Sequence, residues 1–104
     1  MQRGDVFWAR FPAPVGKRPV VLVSRAQAYA IKTRLTVVVV TTTVRGIPTE
    51  VRLGPRDGLP KVGVANADEL VTVPATLLVA RIATLSKPKL AELDDALRFS
   101  LGLG

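Results

Sequence analysis

Short β-branched runs, turn residues set closely between them, and one apolar repeat of helical period near the end predict a mainly β chain with some α. The expected architecture is a small SH3-like β-barrel carrying a C-terminal amphipathic helix. Asp5-Val6-Phe7-Trp8-Ala9-Arg10 alternates aromatic with small or polar residues and makes a first strand. Phe11 to Lys17 is a loop, punctuated by Pro12, Pro14 and Gly16. Pro19 to Val23 is a short buried strand. Arg25 to Ile31 has helical composition, with Ser24 placed to cap it.

Leu35-Thr36-Val37-Val38-Val39-Val40 carries the strongest strand signal in the chain. Four consecutive valines oppose a helix through their restricted side-chain torsions, and they suit a strand covered on both faces. Thr41 to Ile47 turns around Gly46, and Pro48 then opens a strand over Thr49 to Leu53. Gly54 to Pro60 is a loop. Val62 to Ala65 and Leu70 to Val73 are two further strands, separated by Asn66-Ala67-Asp68-Glu69, and Leu77 to Thr84 forms a last one.

Ser86 caps the closing helix and Pro88 falls in its first turn, where a missing N–H does no harm. Leu90, Leu93, Leu97 and Leu101 form one apolar stripe, Glu92, Asp94, Asp95 and Arg98 take the other side, and Gly102 ends the helix. There is no linker, repeat or low-complexity segment, so residues 1–104 read as one domain. A chain of this length buries roughly two-thirds of its unfolded surface, and a partner subunit would add to that.

Composition narrows the chemistry. The chain has neither cysteine nor histidine. That removes disulfides, thiolate metal sites, the commonest general base and nearly all zinc chemistry. Any catalysis must use arginine, lysine, carboxylates, hydroxyls or backbone groups. No run reaches the ~18 apolar residues of a membrane span, and the N-terminus does not resemble a signal peptide, so a soluble cytoplasmic protein is expected. Fifteen lysines and arginines against eight acids give a formal net charge of +7, which points to a polyanionic partner, most simply nucleic acid. Ten of the fifteen basic residues lie in the first 56 positions, whereas the acids from Asp68 to Asp95 come later.

Four segments carry a resemblance. They are Arg3-Gly4-Asp5-Val6-Phe7-Trp8, Gly16-Lys17-Arg18-Pro19 with its apolar strand ending at Ser24, Val40-Thr41-Thr42-Thr43 followed by Gly46-Ile47-Pro48-Thr49-Glu50-Val51, and Val64-Ala65-Asn66-Ala67-Asp68. In this order, and with the closing amphipathic helix, the chain resembles the MazF/PemK family of toxins from residue 3 to about residue 102. The resemblance implies a type II toxin–antitoxin system, a MazF/PemK/CcdB-like barrel, a homodimer and metal-independent, cofactor-free cleavage of single-stranded RNA that inhibits translation. It also implies a MazE-like antitoxin whose C-terminal segment covers the active groove, and DNA binding by the toxin–antitoxin complex. The first loop is short and lacks the Glu-Gln pair that many members carry before Arg-Pro, so substrate contacts made by that loop in relatives do not carry over.

Within that frame Arg18 and Thr41 are the expected catalytic residues. Attack of a 2′-hydroxyl on the adjacent phosphate needs a proton acceptor, a proton donor and stabilisation of the phosphorane. Arginine is a poor proton shuttle because of its high pKa, but its planar guanidinium can donate two hydrogen bonds to a phosphate. Pro19 holds Arg18 extended at a strand entrance. Thr41 ends the valine strand, where its hydroxyl and N–H could meet a phosphate oxygen. Thr42 and Thr43 share its composition, and alternation puts Thr43 on the side of Thr41 and Thr42 on the other. Thr41 ranks first and Thr43 second.

Arg10, Lys17 and Arg45 could track the RNA backbone, each standing level with a plain solvated charge. Phe11 and Trp8 could stack bases, though Trp8 is better placed for burial or a dimer contact. Asn66 and Asp68 could read base edges or simply form an Asx turn. Two other functions fit the same barrel. A non-catalytic RNA-binding module would bind without cutting, and a gyrase-directed toxin would arrest DNA synthesis and would not need Arg18-Pro19 near Thr41.

Overall fold

In the computed structural model, which describes residues 1–104, six strands form one curled antiparallel half-barrel with a helix at its end. The strands are β1 (Asp5–Arg10), β2 (Lys17–Leu22), β3 (Arg34–Thr41), β4 (Glu50–Leu53), β5 (Gly63–Pro74) and β6 (Leu78–Thr84). The helices are α1 (Ala28–Ile31) and α2 (Lys87–Leu101). The order across the sheet is β4-β5-β3-β2-β1-β6, so β4 and β6 are its edges. Single 3-10 turns at Pro55–Asp57 and Ala75–Leu77 fill the connections before and after β5.

The valine strand is covered on both faces, as its composition requires. Val37 and Val38 are fully buried on opposite sides, as are their neighbours Val20 and Val21 on β2. The sheet consequently has two cores. One gathers Val6, Val21, Val38, Leu53 and Ala65 beneath Leu93 and Ala96 of α2. The other gathers Ala9, Val20, Leu22, Leu35 and Val37 around Ala28 of α1. The loop after β4 draws the two edges together. Leu59 enters the first core, and Gly58, at φ +91°, lies so close to β6 that a β-carbon there would come within 2.7 Å of the Ala83 methyl.

Three expectations are corrected. The helix expected from Arg25 is only one turn, Ala28–Ile31, and Ser24 does not cap it. The Ser24 hydroxyl instead accepts the Thr36 N–H at 2.8 Å, tying Ser24 to β3 and leaving the segment without the cap that would offset the cost of starting a helix. The two strands expected around Asn66–Glu69 are one continuous strand of 12 residues. Val38 pairs with Leu70 but Val40 with Ala65, so the extra residues are absorbed as an irregularity in the β3–β5 ladder, while β4 continues to pair as far as Asn66.

The α2 stripe also shifts. Ser86 accepts the Lys89 N–H and Gly102 closes the helix at φ 69°, as expected. The buried line, however, runs through Leu93 and Ala96, and the Ser100 hydroxyl docks on the Ala67 carbonyl at 3.2 Å. Leu101 is exposed because a turn of 3.6 residues carries it off that line.

Asp94, expected on the solvent side, is half-buried and takes Arg3 in an ion pair of 2.6 Å. This contact fastens the N-terminal segment to α2. Asp5 secures the same end of the sheet. Its carboxylate is buried and accepts the Thr84 hydroxyl at 2.7 Å and the Gln2 N–H at 3.0 Å.

Thr49 breaks the rule that buried polar groups are partnered. The residue is buried and its hydroxyl meets no hydrogen-bonding group. An orphaned hydroxyl of this kind costs about 1–3 kcal/mol. Thr49→Val is therefore expected to leave thermal stability unchanged or raise it, and a melting curve with a clear fall in Tm would contradict this.

Candidate functional site

The end of the sheet where β2 begins and β3 finishes carries two hollows. Antiparallel pairing of β2 with β3 runs through Val20–Val39, Val21–Val38 and Leu22–Val37. Carried two residues further, that register sets Arg18 opposite Thr41 on the same side of the sheet. Both residues are half-buried, and both line the two hollows, so they form the wall between them.

The first hollow, about 340 Å³, lies between the start of β2 and the loop before β5. Trp8, Val40 and Leu59 give it an apolar lining, and Lys17 and Lys61 join Arg18 as its cations. The Lys17 ammonium sits over the Trp8 ring, 4.9 Å from its centre, a cation–π contact that holds the lysine in place. The second hollow, about 380 Å³, lies over the outer part of the same sheet end. Phe11, Val15, Val39 and Val71 line it together with Thr43, Arg45 and Glu69.

The three threonines separate as alternation requires. Thr41 and Thr43 both face the second hollow, whereas Thr42 lies in the first. Thr41 is further distinguished by its hydroxyl, which accepts the Thr43 N–H at 3.2 Å. That bond occupies one lone pair and leaves the hydroxyl proton free to donate.

Backbone packing sets the position of Thr41. A β-carbon on Gly63 would lie 2.5 Å from the Thr41 carbonyl oxygen, so only glycine lets β5 come this close to the end of β3.

The loop from Thr42 to Thr49 is organised by one carboxylate. Glu50 accepts the N–H groups of Arg45 at 3.0 Å and of Gly46 at 2.8 Å, with that of Ile47 at 3.5 Å. Desolvation works to raise the Glu50 pKa, but these three donors and the Arg45 charge together hold it below the ordinary carboxylate range. A group with a lowered folded pKa stabilises its loop fully above the unfolded value and loses that effect as pH falls through the folded one. Amide exchange at Arg45, Gly46 and Ile47 is accordingly expected to speed up relative to the sheet on acidification, and Glu50→Gln to speed it up at neutral pH. Unchanged protection in that variant would rule the latch out.

Of the residues singled out by sequence, Arg18, Thr41, Thr42, Thr43, Lys17, Arg45, Phe11 and Trp8 come together at the two hollows. Trp8 is neither fully buried nor free, since its half-exposed ring lines the first hollow. Arg10 is exposed at the end of β1, beside Lys17, and lines neither. Asn66 and Asp68 lie elsewhere. Asn66 is buried opposite Glu50 and accepts the Asp68 N–H at 3.0 Å, and Asp68 takes the Ser100 hydroxyl at 2.7 Å. Sequence reasoning missed Val15, Lys61, Glu69 and the Glu50 latch. Lys61 follows the Gly54–Pro60 loop directly and Glu69 ends the segment containing Asn66 and Asp68, so proximity to those features was the available signal.

The chain is thus a histidine-free antiparallel half-barrel whose Arg-Pro strand entrance faces a threonine strand end between two basic hollows. Residues 2–101 match the family described as PemK-like, MazF-like toxin of type II toxin-antitoxin system, and the chain belongs to that family.

In sequence it is 35% identical to the probable endoribonuclease MazF5 of Mycobacterium tuberculosis, over 95% of this chain and 91% of that one. Its backbone is similar to that of a mycobacterial endoribonuclease solved in complex with its cognate antitoxin, with a TM-score of 0.89 at 30% identity over 100% and 97% of the two chains. It is likewise similar to a MazE–MazF structure from Deinococcus radiodurans, with a TM-score of 0.83 at 27% identity over 100% and 97% of the two chains.

Proposed function

We propose that this chain is the toxin of a type II toxin–antitoxin pair and cuts single-stranded RNA without a metal, leaving 2′,3′-cyclic phosphate and 5′-hydroxyl ends and so inhibiting translation. The observation that carries the reading is the placing of Arg18 and Thr41 face to face between two cationic hollows. Family membership and the endoribonuclease names of its relatives support the same reaction.

In this mechanism the RNA backbone crosses the wall between the hollows, so that the scissile phosphate lies against Arg18 and Thr41. The 2′-oxygen forms a bond to phosphorus and loses its proton, while the bond to the 5′-oxygen breaks and that oxygen gains one. The Arg18 guanidinium donates to the phosphate oxygens as charge accumulates on the phosphorane. The Thr41 hydroxyl, already bonded to the Thr43 N–H, points its free proton to the same group. Lys17, Lys61 and Arg45 attract the flanking phosphates and make affinity fall with salt.

The protein acts as a cytoplasmic homodimer, and its antitoxin is a MazE-like chain whose C-terminal segment fills the groove. Acidic side chains suit that occupant, because the groove is lined by cations and gathers polyanions.

Purified protein and single-stranded RNA are expected to give cleavage that persists in excess EDTA. Cleavage abolished by EDTA would overturn the metal-free mechanism, and binding without any cleavage would overturn the enzymatic reading.

A further inference from the structure

Glu69 is the one acid lining either hollow, and it sits among cations where an RNA backbone would pass. An anion there repels phosphate, so it works against affinity unless it meets a hydrogen-bond donor on the RNA. It forms no ion pair within the chain, whose three pairs are Arg3–Asp94, Lys89–Glu92 and Arg98–Asp95. Its position comes from the irregularity in the β3–β5 ladder. Pairing jumps from Val40–Ala65 to Val38–Leu70, and Glu69 closes the extra stretch. Irregularities of this kind re-aim side chains beside sites. The rest of the second hollow supplies what a flat ring needs, with Phe11 as an aromatic face and Val39 and Val71 as an apolar floor.

We infer that the second hollow is a nucleobase subsite in which Glu69 selects a base carrying an exocyclic amino group and disfavours uracil. A carboxylate only accepts hydrogen bonds. Cytosine, adenine and guanine each present an amino group on the edge that is free in a single strand. Uracil presents one N–H flanked by two carbonyl oxygens, which the carboxylate repels. Arg18 and Thr41, shared with the first hollow, then place the phosphate attached to this nucleotide at the reacting position. The inference rests on the proposed RNA substrate but not on cleavage.

The test uses intact protein and a randomised single-stranded heptanucleotide pool with 2′-fluoro groups, whose missing 2′-hydroxyls leave nothing to attack the phosphate. Sequencing the bound fraction is expected to show one position where uracil is depleted about tenfold relative to the amino-bearing bases. In Glu69→Gln the depletion should shrink to less than about twofold, because an amide both accepts and donates and so tolerates either edge. Glu69→Ala should also lose it.

No position with uracil depletion, or a depletion that survives both variants, overturns the assignment. A gain in binding that is equal for all four bases makes Glu69 a repulsive charge only and overturns it equally. Selection by the wild type in a protein that fails to cut ordinary RNA would keep the subsite and reject the nuclease reading.

Discussion

Arg18→Ala is expected to lower RNA cleavage by about two to three orders of magnitude, the usual cost of removing a preorganised donor from a developing oxyanion. The fold should not suffer. Arg18 takes part in none of the chain's ion pairs and is only half-buried, so the change in stability should stay within about 0.5 kcal/mol. Arg18→Lys keeps the charge but loses the planar fork, and should recover only part of the rate. The measurement is a single-turnover rate on one RNA oligonucleotide, paired with a melting curve for each variant. A variant that loses activity and melts early in equal measure would make Arg18 a structural residue instead.

The second large effect comes from a residue with no side chain. Gly63→Ala puts a β-carbon 2.5 Å from the Thr41 carbonyl oxygen, and neither backbone can yield without moving the other. Overpacking of this kind costs about 1–3 kcal/mol. Moving a catalytic group by about 1 Å can cost roughly a hundredfold in rate. Gly63→Ala should therefore mimic Thr41→Val in activity while also lowering Tm, whereas Thr41→Val should lower activity alone. The contrast separates the position of Thr41 from its hydroxyl. A fully active Gly63→Ala would show that the close approach of β5 does not set the site.

The elements most legible in the sequence were those whose local chemistry and tertiary environment agree. Val37 to Val40 suit a strand on torsional grounds, and the fold buries Val37 and Val38 on opposite faces. Ser86, Pro88 and Gly102 mark the ends of α2 by the groups they satisfy, and each falls where expected. Arg18 and Thr41 were singled out through the family resemblance carried by Gly16-Lys17-Arg18-Pro19 and Val40-Thr41, and the β2–β3 register sets the two side by side.

What escaped was decided by distant partners. Asn66–Glu69 has turn composition, but pairing to β4 keeps it extended, so two expected strands merge into β5. Ser24 has capping chemistry, but the Thr36 N–H claims it from 12 residues away. Glu50 is an unremarked acid in sequence and becomes a latch only once three consecutive N–H groups turn toward it. Strand order across the sheet has no local signature at all.

The claim that the RNA's own 2′-hydroxyl attacks the phosphate held by Arg18 and Thr41 is tested most directly with one modified substrate. An oligonucleotide bearing a single 2′-deoxy nucleotide at the mapped cleavage position would be incubated with the wild-type protein in EDTA, beside its all-ribose counterpart. The mechanism predicts that the all-ribose strand is cut to a cyclic phosphate end and the modified strand is not cut at that position. Cleavage of the modified strand there would contradict it.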